Sequence, residues 1–166
     1  TLIWDFGDST PTASSGLNKS YAKYGAYNVK LRVITNDGCT DSINKNILIH
    51  PMPNAAFTVN KTITCFKDHG FDFSAAASFI PVGTIASYTW DFGDATTSTL
   101  KTPPTKTYTK DTTHKVLLVL VSDKGCADTT QRVVQFYPTP VAVASVDKAV
   151  QCIEENLFNY TAEGST

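Results

Sequence analysis

The chain has 166 residues, with 14 Lys and Arg against 15 Asp and Glu, a net charge of −1 and a pI near 6.2. That balance gives no electrostatic reason to bind nucleic acid or an anionic membrane. No apolar run approaches the roughly 18–20 residues that cross a bilayer, while 42% hydrophobic and 11% aromatic content suits a modest core.

The chain opens on Trp4-Asp5-Phe6-Gly7-Asp8, and the same pentapeptide returns as Trp90-Asp91-Phe92-Gly93-Asp94, an offset of 86. Downstream features repeat at 87: Gly38-Cys39 as Gly125-Cys126, Pro51-Met52-Pro53 as Pro138-Thr139-Pro140, and Cys65 as Cys152. Phe71-Asp72-Phe73 likewise returns as Phe158-Asn159-Tyr160, and a one-residue indel between Asp8 and Tyr21 reconciles the two offsets. Such a period marks a string of like modules. The Pro pairs read as joints, because proline cannot continue a sheet. Residues 1–51 are then the back of one unit, 52–138 a complete unit and 139–166 the front of a third. Only the middle unit is expected to fold by itself; residues 139–166 of one molecule could complete 1–51 of another.

Period-two alternation predicts strands. Val29, Leu31 and Val33 alternate with Asn28, Lys30 and Arg32, as do Phe71 with Phe73 and Tyr88 with Trp90 and Phe92. Comparing units places Ile47, Ile49, Val134 and Phe136 on the core side. Asn36-Asp37-Gly38 and Ser122–Gly125 read as hairpin turns. Leu117, Val119 and Val121 replace Lys30, Arg32 and Ile34, so the strand Val116–Val121 is apolar on both faces. Coverage from within the unit is the first reading of that strip; a binding strip for a neighbouring module or partner is the second. No stretch has convincing helical spacing, and about seven short strands per unit predict an all-β, two-sheet antiparallel sandwich.

Within each pentapeptide the two aromatics, Trp4 with Phe6 and Trp90 with Phe92, share a face and belong in the core. Gly7 and Gly93 supply a backbone angle that a Cβ resists. Asp8 and Asp94 can accept N–H groups in the following turn. A calcium reading, with Asp91 and Asp94 (or Asp5 and Asp8) as ligands, supplies two carboxylates where calcium takes six to eight oxygens. The structural turn is preferred, and no metal or other cofactor is expected.

These residues carry a resemblance. Tyr88–Asp94 with Pro104–Tyr108 and the Val116–Val121 strand, and Tyr21–Leu31 in the first unit, resemble the PKD (polycystic kidney disease) domain. The resemblance covers essentially the whole chain and implies tandem immunoglobulin-like sandwiches. Two departures stand out. The Gly that usually follows the second Asp is Ser9 or Ala95, and Gly25 and Tyr27 become Thr112 and His114, implying a looser corner in the middle unit. Together with the Pro joints and the Gly-Cys-x-Asp signature (Gly38–Ser42, Gly125–Thr129), the repeats are similar to giant surface adhesins of gliding bacteria exported by the type IX system. That similarity implies a cell-surface location and an adhesive role.

Four cysteines in register with the repeat suggest disulfides. Cys65–Cys126 is the choice within one unit, although their loops lie at opposite ends of a simple sandwich. Zinc is not expected. His50, His69 and His114 lack a catalytic neighbour, and no phosphate loop, nucleophile elbow or Ser/His/Asp arrangement is present, so no catalytic residue is assigned. Sequons at Asn18, Asn60 and Asn159, and Ser42 or Thr129 as O-linked sites, are weak signals.

The reading is therefore a non-enzymatic spacer and adhesion module of a large secreted surface protein. Its partners are neighbouring repeats and, at the exposed Thr-rich loop Ala95–Thr107, surface glycans or other surface proteins. The alternative is an accessory module of a secreted hydrolase that binds polysaccharide or protein. With both Trp in cores, Tyr24, Tyr108 and Tyr137 are the aromatics left to stack on sugars.

Overall fold

A computed structural model describes residues 1–10, 17–65, 70–110, 112–155 and 157–166; His69 lies outside them. The first unit contributes β1 (Leu2–Asp5), β2 (Gly25–Ile34) and β3 (Thr40–Ile49), an antiparallel sheet in the order β1-β2-β3. The turn Asn36–Gly38 closes the β2–β3 hairpin, with Gly38 at φ +84. Tyr27, Val29 and Leu31 are half-buried on one face, while Asn28, Lys30 and Arg32 are exposed on the other.

The middle unit holds seven strands: β4 (Thr58–Val59), β5 (Ile63–Cys65), β6 (Phe73–Ser74), β7 (Ile85–Asp91), β8 (Thr97–Ser98), β9 (Thr113–Ser122) and β10 (Ala127–Tyr137). Five form a sheet in the order β5-β10-β9-β7-β8, and β4 pairs with β6. The antiparallel expectation has one exception: β5 runs parallel to the edge of β10, with Cys65 opposite Tyr137. Between the layers lie Phe57, Phe71, Phe73, Trp90, Phe92, Tyr108, Val116, Leu118, Leu120, Val134 and Phe136. Trp90 is fully buried, stacked along Phe92 and met edge-on by Phe57, and its Nε1–H donates to the Leu100 carbonyl at 2.8 Å. Such edge and offset contacts add to the area that aromatics bury.

Leu117, Val119 and Val121 lie on the outer face of β9 and are half-buried. Across the ladders they face Gln131, Thr129 and Ala127 on β10, and Leu117 and Val119 face Asp91 and Thr89 on β7. The apolar strip is therefore one strand wide, between polar rows.

The third segment repeats the front of the middle unit bond for bond. Its strands β11 (Ser145–Val146) and β12 (Tyr160–Thr161) pair as Ser145↔Thr161 and Val146↔Tyr160, matching Thr58↔Ser74 and Val59↔Phe73. Val141 and Thr166 exchange backbone hydrogen bonds as Asn54 and Phe79 do. Ser165 brackets Val143 as Ser78 brackets Ala56. A single 3-10 turn, Ile153–Glu155, is the one helical element among the described residues.

Candidate functional site

Two places concentrate polar groups and close approaches: the turn after each pentapeptide, and the joint between the first two units. At the turn, Gly93 sits at φ +76, and a Cβ there would meet the Lys115 carbonyl oxygen at 2.7 Å. Gly7 repeats this against Asn28. The backbone of the β7–β9 corner thus passes too close for any side chain.

The carboxylates then fasten the turn. Asp91 Oδ1 accepts from Gly93 N–H at 2.8 Å, and Asp94 Oδ1 accepts from the Thr96 N–H and hydroxyl at 3.1 and 2.6 Å. The other Asp94 oxygen pairs with Lys106 Nζ at 2.6 Å. Partial burial pushes the Asp94 carboxyl upward, but Lys106 and Thr96 outweigh it and hold it below its ordinary value. In the first unit Asp5, Asp8, Thr10 and Lys19 repeat the arrangement, with Lys19–Asp8 at 2.6 Å. Lys19 and Thr10 likewise draw the Asp8 carboxyl down.

Both oxygens of Asp94 are therefore already engaged by donors and a cation. Among the described residues no three His, Cys, Asp or Glu side chains are grouped to hold a metal. The chemistry of Asp91 and Asp94 here is hydrogen-bond acceptance within a turn.

Sequence reasoning quoted Lys106 and Tyr108 only within the family resemblance and offered Tyr108 to sugars; it missed the structural role of both. Lys106 Nζ lies over the Tyr108 and Phe92 rings at 4.8 and 5.6 Å, joining the turn to the core by a cation–π contact as well as an ion pair. The Tyr108 hydroxyl donates to the Phe92 carbonyl at 3.0 Å, as Tyr21 does to Phe6 at 3.1 Å. Burial, then the Asp94 and Asp91 charges, push the Tyr108 phenol far upward, so it stays a donor. The signal was the recurrence of Lys-x-Tyr at Lys19–Tyr21 and Lys106–Tyr108. Because Tyr108 is buried, it cannot stack on a sugar; Tyr24 and Tyr137 are half-exposed.

At the corner expected to be looser, the two units differ in what their side chains reach. The Tyr27 hydroxyl reaches the Lys23 carbonyl at 2.8 Å. His114 takes the same place, stacking on Tyr108 at 4.0 Å as Tyr27 does on Tyr21 at 4.1 Å. The shorter imidazole reaches only Gly93 O, at 3.4 Å, and its buried Nε2 has no hydrogen-bond partner.

Two further expectations are corrected. The Cys65–Cys126 disulfide is not formed, and all four cysteines are free thiols. Cys65 lies beside the last residue of β10, while Cys126 precedes the first, so an 11-residue strand separates them. At about 3.3 Å per residue that is some 35 Å, against a limit of about 7 Å between bridged Cα atoms. Trp4 is only half-buried, because residues 1–50 contain no counterparts of Phe57, Phe71 and Phe73 to cover it.

At the first joint Pro51 and Pro53 are buried, whereas Pro138 and Pro140 are exposed. Asp128, from the Gly-Cys-x-Asp signature, accepts Ala55 N–H at 2.8 Å and ties the incoming chain to β10. A groove of about 380 Å³ lies between Leu48, Ile49 and His50 of the first unit and Val82, Gly83 and Lys124 of the second. The Asp123 carboxylate, drawn down first by the Thr84 N–H, locks the 80–84 loop to the Lys124 hairpin. No helix among the described residues is long and apolar enough to cross a membrane.

The family model described as "PKD domain" matches residues 1–49 and 50–136. Pre-pro-metalloprotease PrtV of Vibrio cholerae is 45% identical over 53 residues, 32% of this chain and 6% of that protein. Collagenase ColQ1 of Bacillus cereus is 34% identical over 108 residues, 63% of this chain and 11% of that protein. The chain thus spans a small part of these relatives. Among solved structures, the PKD1 domain of Vibrio anguillarum Epp is 27% identical with a TM-score of 0.46, over 53% of this chain and 96% of that one. The PKD1 domain of PrtV is 33% identical with a TM-score of 0.44, over 53% and 98%.

Proposed function

Since the chain belongs to the PKD domain family, we propose that it is a run of non-enzymatic immunoglobulin-like units that act as a stiff extracellular spacer. The observation that carries this is the packed first joint: two buried prolines, Asp128 holding the incoming strand, and side chains of both units facing one groove. Proline joints with such contacts restrict the angle between units, unlike Gly-Ser linkers. Each added unit then extends reach with little slack. The finer reading is a mobile surface adhesin of a gliding bacterium exported by the type IX system, its contacts made by the exposed Thr-rich loop after β7.

Small-angle scattering of the full chain tests the spacer role. An elongated particle of fixed length is expected, shortening and broadening in a Pro51→Gly, Pro53→Gly variant. A wild type as broadly distributed as that variant overturns the proposal.

A second reading is favoured by the relatives: an accessory module beside a protease, presenting protein or polysaccharide to it. Tyr24 and Tyr137 are the exposed rings available for such contact. Saturable binding to collagen or a glycan that Tyr24→Ala and Tyr137→Ala remove would favour this reading over the first.

A further inference from the structure

Beside the Asp94 turn, the middle unit opens a cleft of about 540 Å³ where β9 begins. Thr107, Thr109, Thr112 and Thr113 line it with hydroxyls, and Lys110 and His114 join them. The four hydroxyls and the Lys110 ammonium have no hydrogen bond or ion pair among the described residues. Exposed threonines at a strand entry are common on a β-protein, but two further observations set this cleft apart. The first is a contrast between copies. Thr109, Thr112, Thr113 and His114 stand where the first unit has Ala22, Gly25, Ala26 and Tyr27. The middle unit thus gains three hydroxyls, all on one cleft, that the repeat pattern does without.

The second observation is His114 itself, which is 6% exposed and stacks on Tyr108. Its Nδ1 lies 3.4 Å from the Gly93 carbonyl. A carbonyl oxygen only accepts, so Nδ1 carries the hydrogen, and Nε2 of the neutral ring is a bare lone pair. That lone pair is buried without a partner, which protein interiors seldom leave so. In the first unit the same place holds the Tyr27 hydroxyl, bonded to the Lys23 carbonyl at 2.8 Å, so this corner has room for an oxygen there. What the middle unit needs is an O–H that gives its hydrogen to Nε2. Sulfate and carboxylate have none to give, and an ammonium group would meet Lys106 and Lys110. An uncharged, hydroxyl-rich ring satisfies the imidazole, the threonines and Lys110 together. The cleft also falls within the range of about 300–1,000 Å³ typical of small-molecule sites.

We propose that this cleft holds one pyranose residue of a glycan. A ring hydroxyl donates to His114 Nε2, and others exchange hydrogen bonds with Thr109, Thr112, Thr113 and the Lys110 ammonium. Threonine suits such a seat, because its hydroxyl and methyl together match the mixed O–H and C–H surface of a sugar. The proposal rests on the second reading of function, in its polysaccharide form, and gives that reading a seat. Gln135, the ladder partner of Thr113, is two residues before the half-exposed ring of Tyr137, so that ring and the cleft share one end of the sheet.

The full chain, isotope-labelled for NMR, is titrated with the methyl glycosides of glucose, galactose, mannose and N-acetylglucosamine. At least one should saturably move the amides of Thr107, Thr109, Thr112 and Thr113 together with the His114 Nε2 resonance. A Kd of about 1 mM is expected for a ligand of this size. His114→Tyr, which fills the place as Tyr27 does, should weaken binding at least about tenfold. The Thr109→Ala, Thr112→Ala double variant, altered at exposed positions, should do the same while keeping its circular dichroism. Shifts no larger than glycerol gives, a response to sulfate alone, or glycoside binding that His114→Tyr leaves intact overturns the proposal. Polysaccharide binding that Tyr24→Ala and Tyr137→Ala remove but His114→Tyr spares also overturns it, and leaves the second reading standing. Glycoside binding at the cleft of a chain that takes up no polysaccharide or protein would sink the second reading and keep the cleft.

Discussion

Ala95 holds a left-handed backbone against its own side chain. Its φ is +66, and Ser9 at the matching place has φ +67, where the family pattern usually has glycine. A Cβ at such an angle is strained, so Ala95→Gly should raise stability by about 0.5–1 kcal/mol despite the freer unfolded chain, read from the shift of the urea midpoint. Two residues earlier the sign reverses. Gly93→Ala adds both strain at φ +76 and a contact with Lys115 backbone, and should destabilise by about 2–3 kcal/mol in the same measurement. Asp94 links this turn to pH. Its folded carboxyl titrates below the ordinary value, so at acid pH the unfolded chain binds the proton first. The stability it contributes is complete above the ordinary carboxylate range, near pH ~4, and disappears as pH falls through the lowered value. Asp94→Asn should flatten the acid limb of a stability-versus-pH curve and leave its shape above pH ~5 unchanged.

At the scale of elements, the corner between Lys110 and β9 is the place to intervene. The first unit shows that Tyr fits the position: Tyr27 stacks on Tyr21 and bonds the carbonyl four residues back. His114→Tyr should restore that bond to Lys110 and remove a buried unpartnered nitrogen, a gain of about 1 kcal/mol in chemical denaturation. Failure to gain would mean that the second unit holds its corner differently. Much of this architecture was legible because strand alternation is local. Val29 and Leu31, Phe71 and Phe73, Trp90 and Phe92 each announce their face within three residues. The turn aspartates were legible for the same reason, since the N–H donors they accept from lie two residues away. Lys106 was not, because its partner Asp94 is 12 residues distant across an irregular loop and only the folded corner brings them together. The parallel β5–β10 edge was equally hidden: β5 is three residues long, and nothing in Ile63-Thr64-Cys65 specifies direction. The disulfide expectation failed through topology: the opposite-end placement, already legible in the strand count, outweighs the register of the cysteines, with an 11-residue strand between Cys65 and Cys126.

The whole molecule is uneven in how well its aromatic residues are covered, and that unevenness is measurable. The middle unit has both layers, so Trp90 is sealed by Phe57, Phe73 and Phe92. Among the described residues the first unit presents one sheet, and Phe6 is the ring stacked beside Trp4. Local stability follows coverage, because a half-sheet buries too little apolar area to offset the ordering of its chain. In dilute reduced protein, Trp90→Phe should leave an emission that is red-shifted and readily quenched by iodide, reporting Trp4. The Trp4→Phe variant should leave a blue-shifted, protected emission. In urea the Trp4 signal should be lost at lower concentration than the Trp90 signal. Coincident transitions would mean that the first sheet and the middle unit unfold together as one cooperative body.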